Sequence, residues 1–528
     1  MTLYQWFVFF LVVQLIHGLG TWKLYEKAGR KSWEAFIPIY NSIVLMKIIN
    51  RPTWWTFLLF LPVINLIMFP IVWVETLRSF GKRSTTDTFL GILTLGFYIY
   101  YINYTQDVQH IADRSLHPTN QTADTISSLL FAIIVATFVH TYFIQPFVIP
   151  SSSLEKSLLI GDFLFVSKQN YGARVPMTTV AAPMVHDTLP LIGTKSYTTF
   201  PQLPYFRFPG FEKIKNNDIV VFNWPRDTLF HMYRPADKRY DKPIDKKTNY
   251  VKRCVGIPGD NLEIKNGIVF INGKELIMPE RARPQYSYKV TLDPKSSTDF
   301  DAVFKDLGIT DGFHFNNPEL RDTLIIHAIT FDGAEKLKSV SGITSINRYV
   351  KKGREDNIFP DKLHDGADES KFPWSGDNYG PIYIPQAGKT VALNKENLPL
   401  YKILISEYEG NKLKVVGNDI YINDKKATSY TFKQDYYWMM GDNRHNSLDA
   451  RYFGFTPENH IVGKPIFIWM SWDSNGKGIM NKIRWDRVFT TVSGEGQPQS
   501  YFKYFLFFLA IYFVGEYFWK KRKAKKTE

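Results

Sequence analysis

PFVIPSSSLEKSLLIGDFLFV (residues 146–166) ends a long apolar run with Pro150 and three consecutive hydroxyls, Ser151, Ser152 and Ser153. Proline stops a helix and serine favours turns and helix caps, so the chain changes direction here. Downstream, YVKRCVGIPGD (residues 250–260) sets Lys252 among Tyr250, Val251, Cys254 and Val255, a strand-like apolar setting. Burial disfavours an ammonium and lowers its pKa, which leaves an amine able to take a proton from a serine. Taken singly, the serines read as a turn or cap and the lysine as an ordinary charged residue. Together they supply the two parts of a serine/lysine hydrolase.

Outward from these segments the composition divides the chain. Its 528 residues exceed one ordinary hydrophobic core. Aromatic side chains, 16% of the whole, crowd the first 150 and the last 30 residues, so the Gly- and Pro-punctuated middle is expected to be the water-exposed part. The expected fold is a multi-span α-helical membrane anchor, a mainly-β extracytoplasmic domain with a large β-rich insertion, and a C-terminal transmembrane helix. Residues 1–125 form a membrane module of about three spans and residues 126–149 a transmembrane anchor. Residues 150–260 and 436–499 form the β domain, 261–435 an inserted β-rich cap, and 500–528 the last helix with its basic tail.

Five apolar runs are candidate spans: residues 3–19, 54–74, 89–104, 129–148 and 501–519. A hydrocarbon core of about 30 Å takes roughly 20 helical residues. Pro62 and Pro70 interrupt the second run, which fits a kinked span or a re-entrant hairpin. The cluster KKRKAKK (residues 520–526) keeps the chain's last segment cytoplasmic, and Lys23, Lys27, Arg30, Lys31, Lys47 and Arg51 mark another cytoplasmic stretch. Alternate counting gives five spans with the N-terminus outside. It also leaves Arg78, Lys82 and Arg83 outside, against the same rule, so residues 54–87 are its weakest part. No basic start or small-residue cleavage pattern marks the first run as a cleavable signal. The net charge of +14 fits membrane-flanking clusters; no basic-aromatic motif points to nucleic acid, and the lipid bilayer is the expected partner.

The middle reads as short strands: DIVVF (residues 218–222), GIVFI (267–271), residues 414–416 and 420–422, and 466–470, with one short helix near 298–307. KNGIVFINGKEL (265–276) and VGNDIYINDKKA (416–427) are a faint repeat, each a hairpin with an Asn-Gly or Asn-Asp turn. Cys254 is alone, which excludes an intramolecular disulfide, and no Cys/His spacing suggests zinc.

With GDNRHNSLDARYFG (residues 441–454) added, the boxes PFVIPSSSLEKSLLIGD, DIVVF and YVKRCVGIPGD, in this order behind a membrane anchor, resemble bacterial type I signal peptidase (leader peptidase), a serine/lysine peptidase family. The resemblance covers residues 145–473, with 261–435 much less constrained. It implies a signal-peptidase-like complex β fold and a membrane-bound endopeptidase that removes signal peptides from exported preproteins without metal or cofactor. In this reading Ser153 is the nucleophile, Lys252 the general base, Ser151 an oxyanion donor and Ser447 the residue that orients the lysine amine. Asp449 and Arg451 match a supporting ion pair. Phe147, Ile149, Leu154, Leu158 and Val251 match positions lining two shallow pockets for a small-x-small signal-peptide end, or else are simply core. Signal peptides, the bilayer and the secretion translocon are the implied partners, and the bacterial inner membrane, with the catalytic domain on the periplasmic side, the implied location.

Two departures stand out. The family's Ser-Met-x-Pro-Thr-Leu is here Ser153-Leu154-Glu155-Lys156-Ser157-Leu158, and His445 replaces an acidic residue after GDNR. Leu for Met keeps the apolar volume; Lys156 for proline loosens the loop behind the nucleophile. His445 is expected to be structural, with no partner carboxylate implied. The departures also raise an alternative, a catalytically impaired homologue acting in membrane binding or quality control, against which the intact Ser153, Lys252, Ser447, Asp449 and Arg451 weigh. A self-cleaving Ser/Lys repressor is soluble and DNA-binding, which the membrane runs exclude. AGRKSWEAFIPIYN (residues 28–41) looks like part of a small multi-span module sometimes joined to such peptidases.

Overall fold

The computed structural model describes every residue except 118–119, 231–237, 294, 297 and 525–528, so the end of the basic tail lies outside the described residues. Two compact units emerge. The first contains Met1–Ile144, Ala173–Pro209 and Thr228–Lys247; the second contains Gln145–Gly172, Gly210–Asp227 and Thr248–Glu528. The boundary differs from the sequence expectation, which gave all of 150–260 to the β domain. Ala173 and Val175 pack into the core of the helical unit, Ala181 and Tyr197 close over Val63, and the Trp6 indole donates to the Gln202 carbonyl.

In the helical unit, Leu3–Lys27 starts on a capping box between Thr2 and Gln5. Among the described residues three helices of the chain are long and apolar enough to cross a membrane, Leu3–Lys27, Gln121–Tyr142 and Phe502–Lys523. The other two expected spans are not single helices. Residues 54–74 divide into Trp55–Leu58 and Asn65–Ser79 around Val63, whose φ is 69°. Residues 89–104 divide into Thr85–Leu93 and Tyr98–Thr105 around Leu95 and Gly96, at φ 52° and 85°. Gly96 is needed there, since a Cβ would lie 2.7 Å from the Trp73 ring. Each pair folds back, and Leu58, Ile64, Met68, Val72, Leu77, Ile99 and Ile102 share one core with Leu24 and Leu45.

This folding gathers the basic loops at one end of the unit. Lys27 donates to the Gln106 carbonyl at 3.1 Å and Lys82 to the Gln106 side chain at 3.2 Å. Arg114 reaches Ser79 Oγ at 2.9 Å and the Ile49 carbonyl at 3.1 Å, and pairs with Glu75, which also takes Arg51 at 2.8 Å. The run 129–148 divides as well: its helix ends at Tyr142 and Ile144–Val148 is a strand, because Pro146 cannot continue a helix.

The second unit is built on an eight-stranded sheet. Its order is Ile144–Val148, Asp162–Ser167, Ile461–Ser471, Ile219–Asn223, Asn249–Gly256, Tyr436–Met440 and Thr456–Pro457, with Thr490–Thr491 added to the long strand Ile461–Ser471. Side chains alternate across it. Val220, Phe222 and Cys254 join a large core with Trp438, Phe455 and Tyr379, while Ile219, Val221 and Val251 join a smaller one on the other face.

The region expected to be a β-rich cap is mixed. Strands Gln285–Leu292, Phe313–Phe315, Thr323–Thr330 and Ile343–Arg348 form a separate antiparallel sheet, and the helices Phe300–Asp306 and Phe331–Lys338 pack their Phe304, Ala334 and Leu337 into its core. The sequence repeat is a structural one. Asn266-Gly267, Asn272-Gly273 and Asn423-Asp424 all have positive φ, as tight two-residue hairpin turns require. Asn272 donates its N–H to the Asn261 carbonyl and accepts the Asn261 N–H on its side-chain oxygen, and Asn423 does the same with Lys412.

Candidate active site

The 3-10 turn Ser152–Leu154 follows Ser151, which is extended and exposed, and carries Ser153 inward until 8% of it remains accessible. The strand Asn249–Gly256 brings Lys252 to meet it, paired with Val220 on the neighbouring strand and 4% exposed. Lys252 Nζ lies 2.5 Å from Ser153 Oγ. Burial pushes the lysine down to about 8; the Asp449 and Asp442 carboxylates oppose that shift and the Arg451 guanidinium favours it. A buried lysine in this range exchanges its proton near neutral pH, as a base for a serine hydroxyl must.

The loop after Tyr436–Met440 closes behind these two groups. Gly441 permits the closure: a Cβ there would lie 2.2 Å from Ser447 Oγ and 2.6 Å from the Ser153 carbonyl oxygen. Asp449 caps the short helix Ala450–Phe453, accepts the Gly441 N–H at 3.0 Å and holds Arg451 through both oxygens. Burial alone would raise the Asp449 carboxyl; the charge and hydrogen bonds of Arg451 outweigh it and keep the group below the usual carboxylate range. Arg451 also donates to the Arg444 and Gly376 carbonyls, so it ties the loop to the cap. Ser447 Oγ is buried and makes no hydrogen bond among the described residues, so the structure does not bring it onto the Lys252 amine.

Phe147, Ile149, Leu154, Leu158 and Val251 all fall in the smaller apolar core beside the turn, together with Leu164, Val166, Ile219, Val221 and Val462. Ile149, Leu154 and Leu158 are buried, and Phe147 and Val251 are partly accessible.

The expectation that His445 has no carboxylate partner is overturned. Its Nε2 lies 2.9 Å and 3.0 Å from the two oxygens of Asp377, and its Nδ1 accepts the Ser287 N–H at 2.9 Å. A ring nitrogen that accepts carries no proton, so Nε2 is the donor and neither nitrogen is free for Ser153. A second buried ion pair went unread in the sequence. Arg253 donates to both oxygens of Asp442 at 2.8 and 2.6 Å, and Ser157 Oγ donates to the same carboxylate at 2.6 Å. The signal was present: Arg253 follows Lys252 in a buried strand, where an arginine requires a partner.

A mainly-β domain in which a buried serine hydroxyl meets a buried lysine amine, in a chain with membrane-length apolar helices, has the make-up of a membrane-associated hydrolase. The profile of the signal peptidase family, peptidase S26, matches residues 122–316 and 384–472, more than half of the chain. The chain belongs to this family. Its relatives include signal peptidase I of Buchnera aphidicola subsp. Baizongia pistaciae, 23% identical over 70% of this chain and 84% of the relative. Signal peptidase I of Buchnera aphidicola subsp. Acyrthosiphon pisum is 26% identical over 68% and 78%, and that of Haemophilus influenzae 22% identical over 71% and 78%. Residues 33–113 separately match a family of unknown function, DUF5684.

Proposed function

We propose that the chain removes N-terminal signal peptides from exported preproteins through an acyl-enzyme, with Ser153 as nucleophile and Lys252 as general base. The observation that carries this reading is the 2.5 Å approach of Lys252 Nζ to Ser153 Oγ inside a buried site. The neutral amine takes the hydroxyl proton as Oγ attacks the carbonyl carbon of the scissile bond. The Ser151 hydroxyl and the Ser153 N–H stabilise the resulting oxyanion. Lys252 then returns its proton to the departing amine, leaving an ester on Ser153, and a water deprotonated by Lys252 hydrolyses that ester. Asp449 with Arg451 supports the loop behind the pair. An extended signal-peptide end pairs beside Val251, its small side chains meeting the partly accessible Phe147, backed by the buried Ile149, Leu154 and Leu158.

The basic ends orient the protein in the bacterial inner membrane. Leu3–Lys27 crosses inward, the two folded-back helix pairs begin and end on the cytoplasmic side, Gln121–Tyr142 crosses outward and Phe502–Lys523 returns. The catalytic domain then faces the periplasm, where signal peptides emerge from the translocon. The gathering of Lys27, Lys82 and Arg114 at one end of the helical unit supports three spans over five.

The test is cleavage of one preprotein by the purified full chain in detergent. Ser153→Ala and Lys252→Ala are each expected to abolish processing; normal cleavage by Ser153→Ala overturns the assignment.

A further inference from the structure

Lys156 stands where the family has a proline, and its backbone φ is 69°. Proline is confined near −65°, so this loop is held in another way. Lys156 Nζ donates to the Gly308 carbonyl, in the cap loop between the helix Phe300–Asp306 and the strand Phe313–Phe315. Gly308 has φ 63°, and a Cβ there would lie 2.7 Å from Lys156 Nζ. Three residues on, Asp311 Oδ2 accepts from Asn443 Nδ2 and from Asn446 Nδ2, the latter at 2.9 Å. The same two amides hold Ser152: Asn443 Nδ2 donates to its carbonyl at 3.3 Å and Asn446 Nδ2 to its hydroxyl at 3.1 Å. The Asn443 N–H donates to the Ser153 carbonyl at 3.1 Å. Glu155, only 7% exposed, donates its backbone N–H to the Ser152 carbonyl at 2.8 Å, a bond within the turn itself rather than to the cap.

We infer that Asp311 is a positioning residue for the peptidase reaction. Its carboxylate fixes the two asparagine amides that clamp Ser152, and Lys156 anchors the far side of the turn to the same cap loop. The nucleophile therefore meets Lys252 at the geometry set by a residue 158 positions away in sequence from Ser153. A carboxylate suits this place because one oxygen accepts two N–H donors at once. The inference rests on the reading of Ser153 and Lys252 as the catalytic pair.

Steady-state cleavage of a signal-peptide substrate by the full chain tests it, with Ser153→Ala as the control for that reading. Asp311→Ala is expected to lower kcat by about tenfold or more, with KM within about twofold, since misplacing a reacting group slows the chemical step more than it weakens binding. Asp311→Asn keeps an oxygen at the same place and is expected to recover most of the loss. Lys156→Pro, which restores the family's residue, is expected to lower kcat because the loop's φ excludes it. Lys156→Met, which removes only the ammonium, separates a lost tether from a misfolded loop and is expected to lower kcat as well. A dead Ser153→Ala beside an Asp311→Ala of wild-type kcat overturns the positioning role while sparing the catalytic pair. Equal loss in Asp311→Ala and Asp311→Asn, or a faster Lys156→Pro, overturns it too. An active Ser153→Ala removes the reading beneath it.

Discussion

The Asp449 carboxylate holds the Arg451 guanidinium with two parallel bonds, Nε to Oδ1 at 2.9 Å and Nη2 to Oδ2 at 2.8 Å. Such a fork-to-fork pair is strong and directional. Its two members act on Lys252 with opposite signs, Asp449 raising and Arg451 lowering the amine.

That opposition gives a pH prediction. Asp449→Asn removes a charge that stabilises the Lys252 ammonium, so the lysine titrates below about 8 and the rising limb of kcat/KM moves to lower pH. A profile of peptide cleavage from pH 6 to 10 reads the shift. A limb moved to higher pH would contradict the assigned sign.

Lys252 also carries a stability prediction. Its folded value of about 8 is below the ordinary 10.5, so below pH 8 the folded state binds a proton it disfavours. That penalty, on the order of 3 kcal/mol, is fully present at pH 7 and disappears as pH rises through the interval up to 10.5. Lys252→Met is therefore expected to raise the apparent Tm at pH 7 while abolishing cleavage, with little gain at pH 11. A scan of the detergent-solubilised chain at both pH values measures it.

Gly441→Ala is expected to remove activity, because the new methyl collides with Ser447 Oγ and the Ser153 carbonyl. The double variant Gly441→Ala/Ser447→Gly clears the closer contact at 2.2 Å and leaves the one at 2.6 Å. A partial recovery of kcat in the double variant, measured against Ser447→Gly alone, is the expected outcome.

The membrane arrangement predicts that cysteines placed at Lys27 and Lys82 label from the same side. The native Cys254 is fully buried and keeps the background silent. Labelling of intact spheroplasts and of inverted vesicles with an impermeant maleimide distinguishes three spans from five. Reaction of the two sites from opposite faces would restore the five-span count.

Much of the site could be read from local pattern. Tyr250, Val251, Cys254 and Val255 announce a strand with apolar side chains on both faces, the setting in which Lys252 is buried. The serine cluster behind Pro150 announces a turn. What escaped depended on partners far apart in sequence. Asp377 meets His445 across 68 residues, and no local feature of either predicts the other. Residues 54–74 and 89–104 had the composition of spans but not the continuity, since Val63, Leu95 and Gly96 turn the chain back within them. The helices of the cap were missed in part because Phe331–Lys338 mixes Asp, Gly and Lys with only a few apolar positions.

The site draws on residues scattered from Ser151 to Arg451, and the strand that closes the sheet beside Asp162 runs as far as Ser471. Ser153 and Lys252 leave the ribosome long before Gly441 and Asp449, so a growing or half-translocated chain holds the reactive pair without the loop that shapes it. On the proposed reading, cleavage therefore waits on the downstream loop: the pair is expected to become competent only once Gly441 and Asp449 have folded behind it.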